Sequence, residues 1–164
     1  MYLVKYNTYL SYMKNVKSIR ILLYIAFCLV IPFTGISKDK PSAKKAGTEI
    51  HFIEDAWSEA LKQAAAQHKY IFVDAYATWC GPCKMLKATT FKDAKVAAFF
   101  NQNFVNISID MEKGVGPQLA QQWRLEAYPT LIIFNSAGKP VLGTVGYIKA
   151  DELLKFGKQG LSKK

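Results

Sequence analysis

The chain has 164 residues, which suffices for one domain and a short extension. Hydrophobic residues make up 51% and charged residues 21%, a globular composition that excludes a disordered chain. The net charge is +10, but residues 1–45 hold eight Lys or Arg against one acid, whereas residues 46–160 hold twelve against eleven. The basic excess therefore lies in the tails. No basic, aromatic-rich face is left in the domain, so we expect no nucleic-acid partner.

The first 37 residues have the pattern of an export signal. A basic stretch precedes the apolar run at 21–31, which is shorter than the roughly 20 residues of a membrane span. Small residues around Ser37 suit cleavage by a signal peptidase. We therefore predict an exported, periplasmic protein whose attachment to the membrane requires this segment to stay uncleaved. An anchor formed by residues 21–36 is the alternative. The predicted divisions are an extension and signal peptide over 1–37, a linker over 38–48 and a folded domain over 49–164.

The hydrophobic pattern of the domain predicts alternating strands and helices. Residues 70–76 form a continuous apolar run with a single acid, as expected of a buried central strand. Asp55 and Asp93 each precede a helical pattern and are predicted to cap it. The predicted elements are a strand at 50–53, a helix at 56–67, a strand at 70–76, helices at 82–90 and 94–101, a strand at 104–109, a helix at 116–123, strands at 130–134 and 140–145, and a helix at 150–157.

The order of these elements predicts the sheet topology. Helices separate the first three strands, which therefore need parallel crossovers. Asn135 and Gly138 mark a tight turn between the last two strands, which indicates an antiparallel hairpin. The predicted fold class is α/β, with a central mixed sheet of about five strands flanked by helices.

Cys80 and Cys83 are the main chemical feature of the sequence. They follow the central strand, open a predicted helix and are close enough to form a disulfide. The first cysteine faces the positive end of the helix dipole, which favours its thiolate. Pro82 fits the first helical turn, where a missing N–H is no loss. We predict Cys80 as an exposed nucleophile and Cys83 as a more buried resolving thiol.

A zinc site is the alternative interpretation of the two cysteines. It would need a second pair of ligands, and the remaining candidates are His51, His68 and Cys28, none of them at ligand spacing. We therefore expect no metal. The placement of the pair between a strand and a helix indicates redox chemistry instead.

Residues 72–84 resemble the active-site segment of thioredoxins, and the likeness covers about residues 49–160. Two further motifs, at 128–130 and 145–147, belong to it. Residues 89–93 also resemble the secreted thiol:disulfide interchange branch of that family. The resemblance implies a thioredoxin fold, a Cys80–Cys83 redox disulfide and a cis peptide bond before Pro129. It also implies a substrate groove formed by Trp79, Gly81, Pro82, Tyr128, Pro129 and Gly146.

Asp74 is an acid in an otherwise apolar strand, six residues before Cys80. The pattern alone is also satisfied by an acid that reaches solvent at a strand end, because an ionised carboxylate is expensive to bury. The resemblance implies instead a buried carboxyl that relays a proton for Cys83, and burial should raise its pKa. Thioredoxins carry a lysine near this acid. The matching position here is Asn106, so we expect Asp74 to lack that lysine as a partner.

The expected function is that of a thiol–disulfide oxidoreductase, which reduces protein disulfides through a Cys80/Cys83 dithiol–disulfide cycle. Its expected partners are disulfide-containing proteins and a membrane electron-donor protein, and no cofactor is needed. Two alternatives stay open: a disulfide oxidase or isomerase, and a thioredoxin-like binding module without turnover. Tyr128 is bulkier than the usual residue of the family, which predicts a narrower groove.

Overall fold

The computed structural model describes residues 48–163. Their centre is the strand β2 (Tyr70–Tyr76). Its five middle residues are all buried, because a strand with apolar side chains on both faces is stable only when both faces are shielded from water. The other strands are β1 (Ile53–Glu54), β3 (Phe104–Asp110), β4 (Thr130–Phe134) and β5 (Pro140–Val145).

The five strands form one mixed sheet in the order β1-β3-β2-β4-β5. β1 and β2 run parallel to β3, whereas β4 runs antiparallel to both β2 and β5. The register places Asp74 opposite Ser108, and Tyr76 opposite Asp110. These pairings confirm the predicted α/β class, with parallel crossovers among the first three strands and a hairpin at the end.

Helices cover both faces of this sheet. The helices are α1 (Trp57–Gln67), α2 (Gly81–Ala88), α3 (Ala94–Asn103), α4 (Gly116–Trp123) and α5 (Ala150–Ser162), with a short 3-10 helix (Thr90–Lys92) after α2. α1 and α4 pack on one face through Ala60, Ala64 and Leu119, while α2, α3 and α5 pack on the other face around Phe72 and Phe100.

The predicted cap of α3 is confirmed. Asp93 Oδ1 accepts hydrogen bonds from the backbone N–H groups of Lys95 at 2.9 Å and Val96 at 3.0 Å, two donors that the first turn of a helix leaves free. The end of α5 differs from the prediction, because the helix continues from 157 to Ser162.

The first strand is shorter than predicted. Ile50 donates its backbone N–H to the Phe91 carbonyl at 2.9 Å, and His51 donates its N–H to Asn101 Oδ1 at 2.9 Å. These groups therefore bond to the 3-10 helix before α3 and to α3 itself, and not to a neighbouring strand. Only Ile53–Glu54 pairs with β3.

The predicted cap of α1 is wrong. Ala56 occupies the N-cap position of that helix and makes no side-chain hydrogen bond to it. Asp55 has a left-handed backbone with φ of 54°, and its Oδ1 accepts from the Asp110 N–H at 2.7 Å. The carboxylate thus ties the start of α1 to the end of β3.

The predicted signal peptide at 1–37 and nearly all of the predicted linker at 38–48 lie outside the described residues. Within residues 48–163, none of the helices has the length and apolar character needed to cross a membrane.

Candidate active site

The site is built on the N-terminus of α2, which follows directly on the end of β2. Cys80 is the N-cap residue of this helix and forms a disulfide with Cys83, with Cα atoms 5.3 Å apart. The Cys83 N–H donates to the Cys80 sulfur at 3.1 Å. Pro82 lies in the first turn, where its lack of an N–H costs no hydrogen bond. The helix therefore presents a backbone donor and the positive end of its dipole to Cys80.

The expected difference in exposure between the two cysteines is absent. Both are only 2% exposed in this disulfide form, so the prediction of an exposed Cys80 is wrong for this state. The pair packs with Ala77 in a small cluster against Tyr76 and Tyr128. The bulky Tyr128 that was expected to narrow the groove thus contributes to covering the disulfide.

Trp79 is the exposed edge of the site, at 66% exposure. Its indole N–H donates to Glu112 Oε1 at 2.8 Å, and its ring meets that of Tyr128 edge-on with centroids 6.3 Å apart. Gly81 and Pro82 are also exposed. The structure therefore places an accessible apolar rim next to a buried disulfide.

The loop before β4 and the end of β5 complete the predicted groove. The Tyr128–Pro129 peptide bond is cis, and Pro129 is buried. Its carbonyl accepts a hydrogen bond from the Gly146 N–H at 2.8 Å. Gly146 has φ of 94°, a left-handed backbone that side chains disfavour. The two motifs, far apart in sequence, thus meet in space through one backbone hydrogen bond.

Asp74 lies in the middle of β2 and is fully buried, so the alternative of a solvent-reaching acid is excluded. The Ser108 hydroxyl donates to its Oδ2 at 3.0 Å, whereas its Oδ1 has no hydrogen-bond partner among the described residues. The carboxyl is therefore only partly satisfied.

Asp74 has a cationic partner, although position 106 holds no lysine. The Lys87 ammonium, from the last turn of α2, lies 4.0 Å from Asp74 Oδ2. Asn106, where thioredoxins carry their lysine, lies opposite Phe72 in the register and bonds elsewhere, donating to Asn101 Oδ1 at 3.2 Å. The positive charge beside Asp74 thus comes from the helix that carries the two cysteines.

Burial raises the pKa of Asp74 from its ordinary value of 3.8 to about 6. The Lys87 charge and the Ser108 hydrogen bond both lower it, and the Glu54 charge adds a small upward contribution. Desolvation dominates, as the sequence predicted. At neutral pH this carboxyl lies close to its titration midpoint, which is the property a proton relay needs.

Three contributors were not predicted from sequence: Lys87, Ser108 and Glu112. Lys87 follows Cys83 by four residues, so the helical period already put both on one face of α2. Ser108 lies opposite Asp74 in the parallel register of β2 and β3, so its contact with Asp74 could be predicted only once that register was known. Glu112 lies in the turn after β3, and nothing in its sequence context indicated a bond to Trp79.

Among residues 48–163, no group of three or more His, Cys, Asp or Glu side chains is arranged to hold a metal ion.

Comparison with known proteins agrees with this geometry. The family described as thioredoxin-like domain matches residues 57–161. A solved structure of a proposed disulphide-isomerase from Bacteroides thetaiotaomicron has a TM-score of 0.63 and 47% identity, covering 71% of this chain and 96% of that one. The chain therefore belongs to the thioredoxin-like family, and its site is a disulfide formed by the two cysteines of a CxxC motif.

Two curated relatives show how far this likeness extends. Thioredoxin-2 of Pyricularia oryzae is 33% identical over 92 residues, which are 55% of this chain and 48% of that protein. The thiol:disulfide interchange protein DsbD of Campylobacter jejuni is 33% identical over 116 residues, 70% of this chain and 20% of that protein. The chain thus spans about half of the first relative and a fifth of the second.

Proposed function

We propose that this protein reduces disulfides in other proteins. The Cys80 thiolate attacks a substrate disulfide, forming a mixed disulfide and releasing one substrate thiolate. The Cys83 thiolate then attacks the Cys80 sulfur, which forms the Cys80–Cys83 disulfide and releases the second substrate thiol. Two electrons and two protons pass to the substrate, and a dithiol donor must reduce the pair again.

The observation that carries this proposal is the Cys80–Cys83 disulfide at the start of α2. The Cys83 N–H and the helix dipole both stabilise negative charge on the Cys80 sulfur, so Cys80 is the better nucleophile and the better leaving group. Cys83 accordingly takes the resolving role.

Asp74 has the proposed role of proton relay for Cys83. It is buried on the strand beneath α2, and its Oδ1, which has no hydrogen-bond partner in the described part of the chain, can accept a proton. A pKa of about 6 lets the carboxyl take up and release protons near neutrality. The relay would remove the Cys83 proton as that thiol becomes a nucleophile.

The proposed substrate is an extended peptide segment carrying a disulfide. Tyr128, Pro129 and Gly146 form one wall of the groove, with the backbone of Tyr128 available to hydrogen-bond in a strand-like manner. Trp79, Gly81 and Pro82 form the other wall and are exposed. Tyr128 must shift aside to expose the disulfide beneath it, which favours flexible substrate segments over bulky folded surfaces.

The proposed location is outside the cytosol, in the periplasm, with a membrane protein as electron donor. The support is the export pattern at residues 1–37 and the similarity to a thiol:disulfide interchange protein. Mass spectrometry of the mature N-terminus tests it. We expect a chain that begins after Ser37, and a cytosolic chain that still carries residues 13–37 contradicts the proposal.

Trapping of mixed disulfides tests the function itself. A Cys83→Ser variant has no resolving thiol, so covalent complexes with substrate proteins should accumulate and should be released by dithiothreitol. The matched Cys80→Ser variant should trap far less, because Cys83 lacks the N-cap position and the N–H donor that stabilise the Cys80 thiolate. Equal trapping by both variants would reverse the assigned roles, and no trapping by either would favour a binding module without turnover.

A disulfide isomerase is the second candidate, favoured by the similarity to the Bacteroides thetaiotaomicron protein. The reduction potential of the Cys80–Cys83 pair separates the two. A reductase should lie near the value of about −270 mV of thioredoxins, whereas an isomerase should lie near about −180 mV.

A further inference from the structure

Lys87 lies at a junction between the redox helix and the sheet. Its ammonium is 4.0 Å from Asp74 Oδ2 and 3.4 Å from the centroid of the Tyr76 ring. Asp74 and Tyr76 are two residues apart on β2, so their side chains point to the same face of the sheet. The ammonium is thus held over one short stretch of β2 by an ion pair and a cation–π contact.

The other end of this contact is open to water. The Lys87 side chain is 38% exposed and lines a cleft of about 480 Å³, together with Phe52, Glu54, Phe91 and Lys92. Asp74 itself is fully buried. Lys87 therefore lies between the buried Asp74 carboxyl and a cleft that is open to solvent.

The groups around Asp74 do not balance its charge without Lys87. On β3, the Ser108 hydroxyl supplies one hydrogen bond, and on β1 the Glu54 carboxylate acts against ionisation. On β2, Tyr76 supplies only its ring to the ammonium. Within residues 48–163, Lys87 is the one cationic side chain within ion-pair distance of Asp74.

We propose that Lys87 is a positioning residue for Asp74, whose buried carboxylate its ammonium keeps ionised and ready to accept the Cys83 proton at neutral pH. The catalytic part of this inference rests on the proposed disulfide reduction, while the electrostatic part does not. Lys87 reaches Asp74 from the same helix that carries the two cysteines.

The test compares four full-length proteins: the wild type, Lys87→Met, Lys87→Arg and Lys92→Met. Lys92 lies in the same cleft and makes no ion pair with Asp74, so it is the matched control. The first measurement is the titration of the Asp74 carboxyl carbon by NMR in the disulfide form. We expect Lys87→Met to raise the midpoint by about one pH unit, since an adjacent opposite charge lowers a carboxyl pKa by that amount or more. Lys87→Arg should restore the wild-type midpoint, and Lys92→Met should leave it unchanged.

The second measurement is the pH profile of protein disulfide reduction. The acid limb of the Lys87→Met profile should shift to higher pH by the same amount as the NMR midpoint. The rate of this variant at pH 6 should be about five-fold below that of the wild type. Lys87→Gln, which keeps a polar side chain, provides a second variant if Lys87→Met folds poorly. A merely structural lysine would lower the rate equally at every pH, and that result would overturn the inference.

The two measurements separate this inference from the proposed function. An unchanged Asp74 titration in both Lys87→Met and Lys87→Gln overturns the inference whatever the protein's activity. A shifted titration in a protein that reduces no protein disulfide supports the electrostatic role and overturns the proposed function alone.

Discussion

Two buried aspartates on adjacent strands have opposite surroundings. Asp74 in β2 is fully buried and Asp110 at the end of β3 is 2% exposed. Asp110 is paired with the Lys113 ammonium at 3.1 Å, and its Oδ1 accepts from the Glu112 N–H at 3.1 Å. Within residues 48–163, Asp74 has one hydroxyl donor, a lysine at 4.0 Å and an oxygen without a hydrogen-bond partner.

The positions in the sheet explain this difference. Asp110 ends its strand, where the following turn offers a free backbone N–H and an i+3 lysine. Asp74 lies mid-strand, where the backbone N–H groups are used by the ladders to β3 and β4. A carboxyl in a strand centre is therefore short of donors and keeps a raised pKa, while the same group at a strand end becomes a structural anchor.

The largest expected effect is on the free energy of unfolding, which two matched substitutions should change in opposite directions. Asp74→Asn should raise the free energy of unfolding at pH 8 by about 3 kcal/mol, because its pKa is raised by about two pH units and each unit is about 1.36 kcal/mol. Asp110→Asn should lower the free energy of unfolding by about 1 kcal/mol, since it loses a charge-assisted pair. Urea unfolding of both variants in the disulfide form measures this. Two effects of the same sign would break the comparison.

The pH dependence of stability should follow Asp74. Its pKa is raised in the folded state, so its stabilising contribution is complete below about pH 3.8 and is lost as the pH rises through about 6. The stability of the wild type relative to Asp74→Asn should therefore fall by about 2 kcal/mol between pH 4 and pH 7. A constant difference between wild type and Asp74→Asn at all pH values would show that the carboxyl does not titrate in this range.

The smallest expected effect sharpens the account of Asp110. Lys113 is 70% exposed, so water and salt screen its pair with Asp110. Lys113→Met should lower the free energy of unfolding by about 0.5 kcal/mol, and the loss should shrink in 1 M salt. Thermal melts at low and high salt measure it. A loss above 2 kcal/mol would mean that the ion pair, and not the backbone hydrogen bond, anchors Asp110.

Local patterns predicted most of the fold. The apolar run of β2, the Asp93 cap and the hairpin after β4 are all encoded within a few neighbouring residues, and each was predicted correctly. The errors at β1 and Asp55 have a common cause. In both places a polar group bonds to a residue more than forty positions away, and the sequence pattern carries no information on such a partner.

The candidate site shows the same difference between features encoded by neighbouring residues and features that depend on distant partners. Cys80 and Cys83 were predicted as a pair from their spacing between a strand and a helix, whereas the burial of Asp74 was implied only by the resemblance to thioredoxins. The cover over Cys80 was missed because it comes from Tyr128, whose position depends on how the loop before β4 packs. Lys87 was missed because a helical lysine is ordinarily solvated. Only the packing of α2 on β2 shows that the side chain of Lys87 lies beside Asp74.

Trp79 gives the protein a built-in optical signal. Its indole is the exposed one, directly beside the disulfide, whereas the rings of Trp57 and Trp123 are half-buried and lie 5.1 Å apart against Phe134. Disulfides quench nearby indole emission, so reduction of the cysteine pair should brighten the red-shifted component that iodide in solution can reach. We therefore expect that fluorescence can follow the redox state of the Cys80–Cys83 pair in real time and without a label.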